Sequence, residues 1–322
     1  MKAIEIQGDQ LVWCETRSPS LGDGEIRIEV KASAVNRADL AQRAGFYPPP
    51  PGASPIMGLE CAGVVSEIAQ GVHGFEVGDE VCALLAGGGY AEEVVVPAPQ
   101  VVPVPAGLSF VEAAALPEVF ATAYLNLYME AALAPGERVL LHAGASGVGT
   151  AAIQLCRAFG NPVFVTAGAD DKIERCVTLG ASGGNNRHSG SFIDHVESWT
   201  DGEGFDVILD PVGASYLNDN LGSLAIGGRL VLIGLMGGAS AEISLGLLMM
   251  KRLRVIGSTL RARPVAEKAE VMSALRERVW PLIDSGEIRP IIDEVIPIAE
   301  TDRAHELIES NETFGKVVLR VG

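Results

Sequence analysis

The residues whose types and spacing best suit chemistry are L-L-H-A-G-A-S-G-V-G-T-A-A-I-Q-L at 140–155. An apolar run ends at Ala143, a glycine-rich turn follows, and a helical pattern begins near Ser146. Gly144, Ser146 and Gly149 hold the three positions of a G-x-G-x-x-G turn, with Gly147 added beside Val148. A helix N-terminus offers free N–H groups and a partial positive charge, and glycine lets the backbone approach an anion closely. Pyrophosphate binding is the chemistry this suits. A second strand ending about 23 residues after Gly144 extends the match to a dinucleotide. A tight strand–helix turn without a ligand is the plainer alternative, and the strand–turn–helix–strand context weighs against it.

The end of that second strand chooses the dinucleotide. An Asp or Glu there would hydrogen-bond the adenosine ribose and repel a 2′-phosphate. The sequence has Val165-Thr166-Ala167-Gly168, with Lys172 about one helical turn on. Gly168 leaves room, and Lys172 can meet a phosphate as a point charge. NADPH is therefore expected. Asp170 and Asp171 oppose this unless they face solvent, where acids suit a helix start. An exposed Lys172 with no ligand is the competing reading.

Other chemistries find little support. The five histidines (73, 142, 188, 195 and 305) form no H-E-x-x-H and no close pair. The five cysteines lie at least 20 residues apart, so no C-x-x-C and no zinc-finger spacing exists. Scattered cysteines fit a reducing compartment, and the N-terminal residues show no apolar signal core, so a cytoplasmic location is expected. With 24 basic and 41 acidic residues the net charge is −17, which argues against nucleic acid and anionic lipid as partners. Two 18-residue uncharged stretches exist, but Val94–Val111 carries four prolines and Val139–Cys156 is glycine-rich, so neither reads as a membrane span.

The elements that must position these residues follow from patterning. A chain of 322 residues suggests about two domains. The first third reads as β-rich: Ala3–Ile6, Glu25–Ala34 and Cys61–Ile68 are β-branched runs broken by Gly and Pro. Y-P-P-P-P-G at 47–52 must be an extended loop. From about residue 118, strands and helices alternate. Strands are expected at Val139–Ala143, Val163–Ala167, Phe205–Asp210, Arg229–Gly234 and Arg254–Thr259. Helices are expected at Gly147–Phe159, Asp171–Leu179 and Tyr216–Ala225. Apolar strands separated by helices imply a doubly wound parallel sheet. A helix over Val265–Ser285 and a strand over Gly315–Val321 close the chain.

The motifs N-R-A-D-L-A-Q-R-A-G (36–45), Y-P-P-P-P-G (47–52), G-L-E-C-A-G (58–63), G-D-E-V-C-A-L (78–84) and G-G-G-Y-A-E (87–92) lie in one register with A-G-A-S-G-V-G-T-A-A-I-Q-L (143–155), G-R-L-V-L-I-G-L-M-G-G (228–238) and T-F-G-K-V-V-L (313–319). Together they resemble the zinc-free medium-chain dehydrogenase/reductases of the quinone oxidoreductase, zeta-crystallin-like type, closest to the branch that includes the tumour-suppressor-induced quinone oxidoreductase. The resemblance implies a GroES-like β-rich catalytic domain (1–120 and 261–322) and an inserted Rossmann domain (121–260). It implies NADPH and an electron-poor substrate in the cleft between them, and a homodimer joined through the Rossmann sheet edge. The apolar Ser244–Met250 segment is the expected edge region, a buried strand being the alternative.

The same resemblance assigns roles. Zinc relatives have a Cys where this chain has Asn36 and a His where it has Leu59, with Glu118 near the third ligand position. This set cannot supply three zinc ligands, so no metal is expected. Asn36 is similar in position to an asparagine beside the nicotinamide ribose, and Thr122 to a threonine at its amide. The cofactor site would further include Val148, Gly234, Met236, Gly237 and Leu260. Asn186 stands where the branch often has a tyrosine near the adenosine phosphate, and the adjoining Arg187 either replaces that contact or, more simply, is a solvated loop residue. Tyr47 either binds a quinone oxygen or relays a proton, or else only packs against Pro48–Pro51. Without a metal, quinone reduction needs less help than alcohol oxidation. NADPH-dependent quinone reduction is therefore expected. Reduction of an enoyl or alkene double bond is the runner-up, and a low-turnover NADPH-binding crystallin-like protein the third reading.

Overall fold

The computed structural model describes all residues, Met1–Gly322. The chain forms two compact units, one of Met1–Ala121 with Leu260–Gly322 and one of Thr122–Thr259.

The first unit is built on a seven-stranded sheet. Ile292–Pro297, Lys316–Arg320, Glu25–Val35, Glu60–Ile68, Glu80–Leu84 and Val101–Pro103 follow in spatial order, and Glu93–Pro97 also pairs with Glu25–Val35. The alternation E-I-R-I-E-V at 25–30 turns Ile26, Ile28 and Val30 inward, where they meet Val65, Val81, Val94 and Val96 in one apolar cluster. Lys2–Gln7 and Gln10–Glu15 form a separate hairpin.

The second unit holds a six-stranded, wholly parallel sheet. Its spatial order is Gly183–Asn186, Val163–Ala167, Val139–Leu141, Phe205–Asp210, Leu224–Leu232, Arg254–Gly257. Numbered along the chain this is 3-2-1-4-5-6, the Rossmann order, with its reversal between Val139–Leu141 and Phe205–Asp210. Leu140, Phe164, Phe205, Ile208, Leu224 and Leu230 fill one face with Phe192 and Leu221. Ligands of such sheets bind outside the carboxyl ends of the strands at the reversal, where the glycine-rich turn stands.

Several boundaries differ from the sequence reading. The first strand stops at Leu141, because Ala143 takes a left-handed φ of 55°. The helix expected over Tyr216–Ala225 is a short turn, Ala214–Tyr216, and a helix, Leu217–Ser223. A strand already begins at Leu224, bridging Gly227-Gly228 by a bulge in which Gly227 has φ 81°. The helix expected over Val265–Ser285 breaks into Val265–Arg278 and Trp280–Asp284, because Pro281 has no N–H and starts the second piece. The apolar segment at 244–250 is no sheet edge. Ser244 caps a helix, Leu245–Lys251, and the edge strand is Arg254–Gly257.

Candidate functional site

The turn after Val139–Leu141 is fixed from both sides. The His142 N–H donates to Leu209 O at 3.1 Å, and the Gly144 N–H donates to Thr166 O at 2.9 Å. Ser146 caps the helix Gly147–Phe159, its Oγ accepting the Gly149 N–H at 3.0 Å. The N–H groups of Gly147 and Val148 head that helix and belong to its first turn, whose donors have no intrahelical partner. A Cβ on Gly149 would lie 2.4 Å from Gly144 O, and one on Gly144 would lie 2.6 Å from Val165 Cβ. Only glycine permits these approaches. Ser146 is exposed and Gly147 and Val148 are half-buried, so the donors lie at the surface. The turn fits a dinucleotide: close backbone, open donors and the positive end of a 13-residue helix.

At the end of Val163–Ala167 the structure gathers Gly168, Lys172, Asn186 and Arg187. A Cβ on Gly168 would lie 3.0 Å from Arg187 Nη1, so the guanidinium covers this glycine rather than extending away from it. Arg187 is itself exposed, as a solvated loop arginine would be, and its guanidinium nonetheless reaches this glycine. Lys172 is buried, 9% exposed, which removes the reading of a freely solvated lysine. Asp170 Oδ1 accepts from Asn186 Nδ2 at 2.9 Å, so one of the two opposing acids is tied to a neutral amide. Asp171 is exposed.

The loop after Leu224–Leu232 lies along the end of Phe205–Asp210. Met236 N–H donates to Pro211 O at 3.2 Å and Gly237 N–H to Val212 O at 2.7 Å. A Cβ on Gly234 would lie 2.8 Å from Pro211 O, and one on Gly237 would lie 2.2 Å from Ser215 Oγ. The Met236 side chain is 54% exposed and available to a ligand. Thr122 is buried, and its carbonyl accepts from Asn126 Nδ2 at 2.7 Å.

The first unit places Asn36 in a buried polar cluster. Asn36 Nδ2 donates to Glu60 Oε1 at 2.9 Å, and Lys316 Nζ donates to Asn36 Oδ1 at 2.6 Å. Lys316 and Glu60 form a buried ion pair at 2.7 Å, and the Glu118 N–H completes Glu60 at 2.9 Å. Both ends of the Asn36 amide are thus occupied, and its position is set rigidly. Beneath it, Asp39 accepts from the Asn36 N–H, the Gly58 N–H and the Tyr90 hydroxyl. Burial still pushes its carboxyl up to about 6.

Tyr47 is held by a residue that the sequence reading missed. Arg261, 4% exposed, donates to Tyr47 O at 3.1 Å, to Ala86 O at 2.8 Å and to Gln42 Oε1 at 2.7 Å. Its guanidinium carbon lies 5.5 Å from the centre of the Tyr47 ring. Burial raises the Tyr47 phenol above its ordinary value, and the Arg261 charge opposes the rise. Tyr47 therefore keeps its proton at neutral pH. Leu260, 8% exposed, immediately precedes this arginine. No group of three His, Cys, Asp or Glu side chains is arranged to hold a metal ion.

Residues 22–106 match the alcohol dehydrogenase GroES-like domain, and residues 147–277 match the zinc-binding dehydrogenase family. Quinone oxidoreductase of Rattus norvegicus is 30% identical over 320 residues, covering 99% of this chain and 94% of the relative. The chain belongs to the medium-chain dehydrogenase/reductase family. A GroES-like domain and a Rossmann-like parallel sheet are its two parts. Among solved family structures, Escherichia coli quinone oxidoreductase complexed with NADPH is 30% identical with a TM-score of 0.87, over 99% of this chain and 98% of that one. CurK enoyl reductase is 29% identical, also with a TM-score of 0.87, over 100% and 99%. The chain also matches lovastatin diketide synthase lovF of Aspergillus terreus at 34% identity over 94% of its own length, but spans only 12% of that protein.

Proposed function

We propose that the protein reduces quinones by hydride transfer from NADPH without a metal. The observation that carries this is the end-to-end correspondence with a quinone oxidoreductase, over 99% of one chain and 94% of the other. Bound NADPH supplies the hydride. Gly144, Ser146, Gly147 and Val148 bind its pyrophosphate, and Gly168, Lys172 and Asn186 surround the adenosine end. Gly234, Met236 and Gly237 border the cofactor, with Thr122, Asn36 and Leu260 toward the nicotinamide. Asn36 acts as a rigid amide set by Glu60 and Lys316 rather than as a metal ligand, and Leu59 offers no donor atom at all. Tyr47 keeps its proton and donates to the substrate oxygen that gains negative charge. Arg261 fixes the carbonyl and ring of that tyrosine.

Tyr47→Phe should lower kcat by about tenfold or more with little change in NADPH affinity, as expected for a proton donor that acts mainly in the transition state. Steady-state NADPH oxidation against quinones checks this, and an unchanged kcat would reduce Tyr47 to packing. Reduction of an enoyl double bond is the second reading, favoured by the equal structural match to an enoyl reductase.

A homodimer through the Rossmann sheet edge belongs to the same proposal, as does a cytoplasmic site of action. Arg254–Gly257 is an edge strand with Val255 exposed, and Leu245, Met249 and Met250 on the adjoining helix are 71%, 77% and 77% exposed. Light scattering should give twice the 33.7-kDa chain mass at micromolar concentration. A mass of one chain would refute the dimer.

A further inference from the structure

At the reversal of the parallel sheet lies a buried polar chain that the proposed reaction does not use. It crosses four elements. Asp210, at the end of its strand, accepts from the Val212 N–H at 2.6 Å and the Gly213 N–H at 3.2 Å. Its Oδ2 accepts from Asn220 Nδ2 at 2.9 Å. Asn220 Oδ1 lies 2.7 Å from His142 Nε2, and His142 Nδ1 lies 3.0 Å from Thr166 Oγ1. Asp210 and Asn220 are fully buried, and His142 and Thr166 are each 3% exposed.

The direction of every bond follows from the end that cannot vary. Backbone N–H groups only donate, so Asp210 is the acceptor and the Asn220 amide must turn its nitrogen toward it. Asn220 Oδ1 then faces His142, and His142 Nε2 must carry the proton. Nδ1 is left as an acceptor, so the Thr166 hydroxyl donates to it. The imidazole is held neutral in one tautomer: burial pushes it down to about 4. Phe192 and Tyr216 meet the ring edge-on at centroid distances of 5.0 Å and 4.7 Å, so it has no room to swing.

This chain ends next to the only strained residue of the turn. Ala143 follows His142 and has φ 55°, a left-handed conformation that costs an L-residue about 1–2 kcal/mol. The residue on its other side, Gly144, donates to the backbone of Thr166, whose side chain holds His142. The two neighbours of Ala143 are therefore tied to the same threonine, one through its carbonyl and one through its hydroxyl.

We infer that Asp210, Asn220, His142 and Thr166 form a strut that keeps Ala143 left-handed and so presets the turn for the cofactor. They are positioning residues, distant in role from any reacting atom. The inference rests on the reading of this turn as a dinucleotide site.

The test is NADPH affinity by isothermal titration calorimetry on the full chain. His142→Phe keeps the ring packing but removes both polar contacts, and the dissociation constant should rise about tenfold or more, the scale of lost buried hydrogen bonds. Ala143→Gly alone should change it less than about twofold, because glycine accepts positive φ but loses entropy. In the double variant, Ala143→Gly should recover at least half of the lost affinity on a logarithmic scale. Should His142→Phe not fold, Thr166→Val removes one hydrogen bond at equal volume. It should weaken binding about fivefold and be rescued by Ala143→Gly in the same way. Failure of rescue in a folded variant that binds weakly would overturn the strut, as would wild-type affinity in folded His142→Phe. A wild type that binds no NADPH would remove the dinucleotide reading and the strut with it.

Discussion

Lys172→Ala is expected to weaken NADPH binding by roughly 5- to 150-fold and to leave NADH binding unchanged. A cation beside a 2′-phosphate forms a charge-assisted bond of about 1–3 kcal/mol, which sets that range. Ala167 supplies no carboxylate at the strand end, and Lys172 is held at 9% exposure close by. Arg187 adds a second cation, its Nη1 within 3.0 Å of where a Cβ on Gly168 would stand. Asp170, which could oppose a phosphate, is bound to Asn186. Arg187→Ala should therefore weaken NADPH binding in the same direction, and the double variant should approach equal affinity for the two nucleotides. Dissociation constants for NADPH and NADH in all four proteins decide the matter. An equal effect of Lys172→Ala on both nucleotides, or a wild type that prefers NADH, would contradict the assignment.

Gly149→Ala should be more damaging and should not discriminate. The added Cβ would lie 2.4 Å from Gly144 O and 2.6 Å from Ala143 O. Both obstacles are backbone of the turn itself, so no side chain can yield. The helix Gly147–Phe159 must shift from the strand, carrying its N-terminal donors with it. A displacement near 1 Å at a binding site can lower rates about a hundredfold, and affinity for both nucleotides should fall by a similar factor. Overpacking should also destabilise the fold by about 1–3 kcal/mol. Calorimetric binding and a thermal melt read the two effects separately. Wild-type affinity in this variant would show that the turn does not anchor the cofactor.

The legible part of the molecule is the part determined locally. The helix Gly147–Phe159 and the strands Val163–Ala167 and Phe205–Asp210 have the limits their apolar runs and glycines imply. Glycines of the turn could be read because their requirement is steric and lies within a few residues. Contacts between distant residues could not. Arg261 meets Gln42 across 219 positions, Lys316 meets Asn36 across 280, and His142 meets Asn220 across 78. Each is a polar residue whose partner is set by topology, so nothing adjacent marks it. Arg187 is exposed, as its place after a short strand suggested, but its reach over Gly168 follows only from the pairing of that strand with Val163–Ala167. At 244–250 the apolar residues suggested a sheet edge, yet Ser244 caps a helix by accepting from the Leu247 N–H at 3.3 Å.

The central claim is quinone reduction from NADPH without a metal. Its most direct test is NADPH oxidation by chelator-treated protein, with kcat/KM measured for a panel of small quinones and a panel of enones. The account predicts full activity after chelation and quinone values at least about tenfold above enone values, a difference of about 1.4 kcal/mol in transition-state binding. Enones that outpace quinones, no turnover with either panel, or activity lost on chelation and restored by zinc would contradict it.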